Sequence, residues 1–124
     1  GNVALYPERF DCVMPLDNPY KTLYRKSDWP FYTVVLNGYS GVIDRNGRVH
    51  LDMEWDDVKA AHQLADTTTY QFIVKRKNKF GVIDSYQNLI IPVKYDSINV
   101  VSENGLHYFL YRKSKLKKVY VDGR

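Results

Sequence analysis

Gly41-Val42-Ile43-Asp44 returns forty residues later as Gly81-Val82-Ile83-Asp84, and the register holds on both sides of it. At the same offset Val49, Leu51, Trp55, Asp56 and Val58 fall on Leu89, Ile91, Tyr95, Asp96 and Ile98, while Tyr32 and Val34 fall on Phe72 and Val74. Self-similarity at a fixed period points to a fold assembled from one repeated unit. The ends continue the series. Tyr6-Pro7-Glu8-Arg9-Phe10-Asp11-Cys12-Val13 reads like Ile91-Pro92-Val93-Lys94-Tyr95-Asp96-Ser97-Ile98, the back half of a unit. Tyr108 to Asp122 resembles Tyr70 to Asp84, with Val119-Tyr120-Val121-Asp122 under Gly81 to Asp84. The expected organisation is one repeat domain over 1–124: a half unit 1–13, an irregular connection 14–30, units 31–69 and 70–106, and a half unit 107–124.

Each unit reads as strands. Tyr70, Phe72 and Val74 alternate with their neighbours, Lys75 to Lys79 turns, and Phe80 to Ile83 returns, a hairpin with one buried face. Asp44-Arg45-Asn46-Gly47 is a second turn, in which the Asp side chain bonds the backbone ahead of it and Val49 to Leu51 comes back as a third strand. Pro92 punctuates the chain before a short fourth strand at Tyr95 to Ile98. Asp57 to Ala65 also admits a helical turn. Its counterpart, Ser97 to Gly105, is rich in Val, Asn and Gly, which favours strand and loop in both.

The spaced set Lys79-Phe80-Gly81-Val82-Ile83-Asp84, Ile91-Pro92 and Tyr95-Asp96, with its second copy at Gly41 to Asp56, resembles the bacterial WG repeats. The family's tryptophan is Phe80 in one unit and Ser40 in the other, and Lys118-Val119 stands in place of the aromatic-Gly pair in the last. The resemblance implies an all-β repeat protein, usually non-enzymatic, and supplies no catalytic residues. The expected fold is therefore all-β, with antiparallel hairpin repeats of about 40 residues, stacked or partly closed. A closed threefold or propeller-like arrangement, with the two half units completing a third, is the alternative. The 45 residues from Phe10 to Trp55 favour the open form.

Composition narrows the class. Hydrophobic residues make up 44% and charged residues 26% of the 124, which excludes disordered and collagen-like chains. No apolar run is long enough for a membrane-spanning helix. The single Cys12 cannot form an internal disulfide, and its repeat counterparts, Asp57 and Ser97, speak against a nucleophile; a small core or semi-buried residue is expected there. The chain opens on Gly1 without a charged or apolar leader, from which a processed chain is expected, consistent with a secreted or periplasmic protein whose signal peptide has been removed.

No catalytic site is expected. Asp52, Glu54 and Asp56 have period two and would share one strand face, the one arrangement that could hold a hard cation or host a new enzymatic site. Their counterparts Pro92, Lys94 and Asp96 do not repeat it, so a solvated face is expected, with no metal. Asp11, Asp56 and Asp96 recur after an aromatic, and Asp44, Asp84 and Asp122 recur before a turn; carboxylates repeated in every unit fit backbone caps better than acid-base chemistry. His50, His62 and His107 lack zinc-ligand spacing, and no phosphate loop or serine elbow is present, so no cofactor is expected.

Charge is the informative feature. Residues 1–69 carry 7 basic and 10 acidic groups, residues 70–124 carry 11 and 4. The excess sits at Lys75, Arg76, Lys77 and Lys79 on one hairpin tip and at Arg112, Lys113, Lys115, Lys117 and Lys118 on the next, two tips the repeat should bring side by side. The matching stretch of the first unit, Val35 to Tyr39, is uncharged. These nine residues are the candidate binding set of a non-catalytic binding or interaction module, for an anionic or carbohydrate ligand or a protein partner. Tyr39, Phe80, Tyr86, Tyr111 and Tyr120 are candidate stacking faces. Nucleic acid is a less favoured polyanion. In the alternative, the chain is a structural component of a larger cell-envelope assembly and the lysines only keep β edges soluble.

Overall fold

A computed structural model of the chain describes residues 10–16, 30–63, 69–102 and 106–120. They form eleven strands, and no helix occurs among the described residues: β1 (Cys12–Pro15), β2 (Phe31–Leu36), β3 (Tyr39–Asp44), β4 (Val49–Trp55), β5 (Asp57–Gln63), β6 (Tyr70–Arg76), β7 (Lys79–Asp84), β8 (Leu89–Tyr95), β9 (Ser97–Ser102), β10 (Leu106–Arg112) and β11 (Lys115–Tyr120). All pairings are antiparallel. Three sheets result, in the orders β1-β2-β3-β4, β5-β6-β7-β8 and β11-β10-β9. Asp57 begins a strand, as its counterpart Ser97 indicated.

The sheets begin one strand before the repeat units do. The chain passes from β4 to β5 at Asp56 and from β8 to β9 at Asp96, so the last strand of each unit opens the next sheet. Phe10 and Asp11 lead into β1 in the same way. The segments 1–9, 17–29 and 121–124, with most of the first half unit, most of the irregular connection and Asp122, lie outside the described residues.

Alternation along each strand buries both faces of the middle sheet. Phe72, Val74 and Ile83 point to the first sheet and pack on Phe31, Val42, Leu51 and Trp55. Ile73, Val82, Ile91 and Tyr95 point the other way, onto Ile98, Tyr108 and Leu110 of the third. Phe10 closes the outer side of the first sheet over Val34 and Ile43. Each fully buried aliphatic side chain contributes about 1.5–3 kcal/mol. One polar pair crosses the second interface, Tyr108 donating its hydroxyl to Gln71 Oε1 at 2.7 Å, with both residues buried. The packed pairs are successive, β3 on β5 and then β7 on β9 and β8 on β10, so the architecture is a stack of sheets and no closed barrel forms among the described residues.

Turn chemistry sets the register. The tips Asn37-Gly38, Lys77-Asn78 and Lys113-Ser114 all have both central residues at positive φ, the two-residue hairpin turn that matches strand twist. Lysine pays about 1 kcal/mol to stand in the left-handed region, and the aromatic-Asp pair holds it there. Asp11, Asp56 and Asp96 each accept the backbone N–H of the first turn residue, from Asn37 at 2.9 Å, Lys77 at 2.7 Å and Lys113 at 2.9 Å. The second set of carboxylates caps the other turn: Asp44 Oδ1 accepts from the N–H of Asn46 and Arg48, and Asp84 Oδ1 from Tyr86 and Asn88.

The third sheet departs from the pattern in two ways. Its hairpin pairs Arg112 with Lys115 as Arg76 pairs with Lys79, which puts Leu116 in the place of Phe80 and Lys117 in the place of Gly81. The alignment of Val119 with Gly81 is thus corrected by two residues. The connection between β9 and β10 is shorter than that between β5 and β6, and a two-residue slip is invisible to a face pattern of period two. Among the described residues the sheet also has three strands where the others have four. At Gly41 and Gly81 the fourth strand crosses so closely that an added Cβ would stand 2.5 Å from the Leu51 carbonyl oxygen and 2.7 Å from that of Ile91. Lys117 carries such a Cβ, so β11 cannot take a fourth strand in that bulged geometry.

Candidate functional site

Two open grooves lie between adjacent sheets, at the tips of the hairpins. The first, about 390 Å³, is lined by Tyr39, Met53, Glu54, Asp56, Arg76 and Lys77. The second, about 510 Å³, is lined on one side by Lys94 and Tyr95 and on the other by Leu110, Arg112, Lys113, Lys115, Leu116 and Lys117. They share corresponding positions: Glu54 and Lys94 are related by the forty-residue repeat, and Arg76 and Lys77 correspond to Arg112 and Lys113 by hairpin register.

The first groove is internally neutralised. Arg76 lies 4.1 Å over the Trp55 ring and donates to Glu54 Oε1 at 2.5 Å. Asp56 is occupied by the Lys77 N–H. Asp52, Glu54 and Asp56 therefore do not converge on a common point, and no group of three metal-ligating side chains occurs among the described residues. The second groove has the opposite balance. Lys94 stands where Glu54 stood, its ammonium 5.7 Å from the Tyr95 ring. Lys94, Arg112, Lys113, Lys115 and Lys117 have no salt bridge among the described residues. Asp96 is held below its usual range first by the Lys113 N–H, then by the Lys79 ammonium, with the Arg112 charge adding to it.

Asp96 also joins the two basic tips, binding the Lys79 side chain and the Lys113 backbone. The tips are neighbours, as the repeat required. The nine candidate residues nevertheless do not form one surface. Arg112, Lys113, Lys115 and Lys117 meet in the second groove. Arg76 and Lys77 belong to the first. Lys75 is half-buried, its ammonium 5.6 Å over Phe80, and Lys79 is committed to Asp96. Lys118 alternates to the other face of β11, over Phe109 at 5.5 Å.

Lys94 was absent from the candidate set because it is isolated in sequence; its signal was the charge reversal against Glu54. Among the stacking candidates, Tyr39 and Tyr86 are exposed, Phe80 and Tyr111 are half-buried, and the Tyr120 side chain lies outside the described residues. Cys12 is exposed on β1, a correction to its expected burial, because its strand is an edge and its side chain is on the open face. His50 is a link between sheets: Nε2 is 2.9 Å from Asp44 Oδ2 and Nδ1 3.4 Å from the Ser85 carbonyl oxygen, with the ring edge-on to Phe31. Burial raises the Asp44 carboxyl, but His50 and the N–H groups of Arg48 and Asn46 outweigh it and hold it low. No helix among the described residues is long and apolar enough to cross a membrane. No family model, no curated protein and no solved structure matches the chain.

Proposed function

We propose that this chain is a non-catalytic, WG-like repeat module that binds an anionic ligand in the groove between its second and third sheets. The observation that supports it is the exchange of Glu54 for Lys94 at corresponding positions. That exchange removes the carboxylate that neutralises the first groove and adds a cation to the second. Five cations around one open groove repel one another, and an external anion relieves that repulsion. Lysines needed only for solubility would have no reason to gather at one groove while the neighbouring groove satisfies its own arginine.

Binding of a sulfated oligosaccharide and of an acidic peptide, measured across a salt series, tests the reading. Affinity is expected to fall as salt rises. It is expected to be lost in a Lys94→Glu, Lys115→Glu double variant and retained in Lys77→Glu, which alters the other groove. Equal loss in both variants would show a diffuse charge effect and remove the groove from the account.

A further inference from the structure

The first groove shows what the second one takes. At the tip of β6, the Arg76 guanidinium lies 4.1 Å over the Trp55 ring and donates a hydrogen bond to the Glu54 carboxylate. At the tip of β10, Arg112 occupies the corresponding position and Tyr95 the corresponding floor, but the residue at the Glu54 position is Lys94. The fold has thus built the same receptor twice, once closed by its own side chain and once open.

We infer that the second groove binds a carboxylate side chain of an acidic protein segment, held between Arg112 and Lys94 in the way Glu54 is held by Arg76. The inference rests on the anion-binding reading and adds the chemical class. A planar guanidinium matches a carboxylate through two parallel N–H bonds, and the second cation, Lys94, strengthens the same contact. The remaining lining favours a peptide over a glycan or a nucleic acid strand. Its side chains are ammonium and guanidinium donors, the aliphatic Leu110 and Leu116, and one tyrosine hydroxyl. Donors of that kind are fully used by carboxylate oxygens, whereas a sugar's hydroxyl hydrogens would find few acceptors among these side chains. Leu116, 53% exposed, offers an apolar contact beside the charge, suited to an aliphatic residue flanking the acidic one.

The test uses the full chain and a blocked peptide of alternating glutamate and leucine, with a sulfated oligosaccharide and an oligodeoxythymidylate as comparison probes, in titration calorimetry. The wild-type protein is expected to bind the peptide at one site. Lys94→Glu supplies the groove with its own carboxylate and is expected to weaken the peptide by about tenfold or more. Glu54→Lys opens the first groove and is expected to raise the stoichiometry from one to two. Glu54→Gln frees Arg76 without adding charge and is expected to add a weaker second site. The Glu54–Arg76 pair is solvent-exposed, so these variants keep the fold, which thermal melts verify. Binding of the sulfated or nucleic acid probe without the peptide overturns the carboxylate assignment and leaves the anionic groove standing. Failure of all three probes removes both readings. A stoichiometry fixed at one in both Glu54 variants refutes the equivalence of the two grooves.

Discussion

The two inter-sheet grooves share corresponding positions on β4 and β8 and at the tips of β6 and β10, yet one is electrically closed and the other open. In the first, Glu54, Arg76 and Trp55 form a self-contained set; in the second, Lys94, Arg112 and Tyr95 leave several cations facing solvent. The scaffold residues are held constant across both: the buried aromatic, the Asp that caps the tip, the left-handed turn residue. Two things change: the side chain two positions before that Asp reverses its charge, and β11 adds Lys115 and Lys117 to the second groove. The matched positions lie on hairpins of the same register, so the reversal of charge between Glu54 and Lys94 is a property of the side chains rather than of the turns that carry the arginines.

The largest effect should come from the glycines that admit the fourth strand. Gly81→Val places atoms within contact of the Ile91 carbonyl and the Val93 backbone, and is expected to cost about 3 kcal/mol or to detach β8, read as a loss of cooperative thermal unfolding. Lys117→Gly, at the corresponding position of the third sheet, should cost no more than about 1 kcal/mol. Comparable losses at the two positions would refute the close approach of the fourth strand as the reason for Gly81.

The caps come next. Asp56→Ala removes the acceptor that holds Lys77 in its left-handed conformation and is expected to cost about 1 kcal/mol in chemical denaturation. Replacing Lys77-Asn78 by Asn-Gly, the residues that turn prefers, should stabilise the tip by about 1 kcal/mol and make the Asp56→Ala loss smaller. An undiminished loss would mean that Asp56 acts on something other than turn conformation.

The smallest effect is a pH dependence at the link between the first two sheets. Asp44 has a folded pKa below its ordinary 3.8. A carboxylate depressed on folding adds stability above its unfolded value, and that contribution is lost as the pH falls through the lower folded value. Asp44→Asn should therefore melt below the wild-type protein at neutral pH, with the gap narrowing below about pH 4. A gap independent of pH would assign the loss to altered turn hydrogen bonds rather than to charge.

Much of the fold was legible because its determinants are local. Period-two alternation in Tyr70, Phe72 and Val74, the turn at Lys77-Asn78, and an Asp ahead of each second turn state their structural roles within a few residues of sequence. Asp11, Asp44, Asp56, Asp84 and Asp96 read as caps and are caps. The site was legible only in part. Charge density marked the two tips, but it could not separate Arg112, Lys115 and Lys117, which face the groove, from Lys118, which turns away, or from Lys75, which lies on Phe80.

By itself the sequence determined the strand content, the forty-residue period and the chemistry of each turn, since these depend on neighbours in the chain and on the fixed alternation of a strand. Tertiary structure alone decided that Arg76 meets Glu54 while Arg112 and Lys94 line one groove from neighbouring sheets, and that the last hairpin is shifted by two residues. Those outcomes depend on which residues, 17 to 22 apart or more in the chain, are brought within contact when one sheet packs on the next. That distance is set by core packing and loop length, which no local pattern encodes.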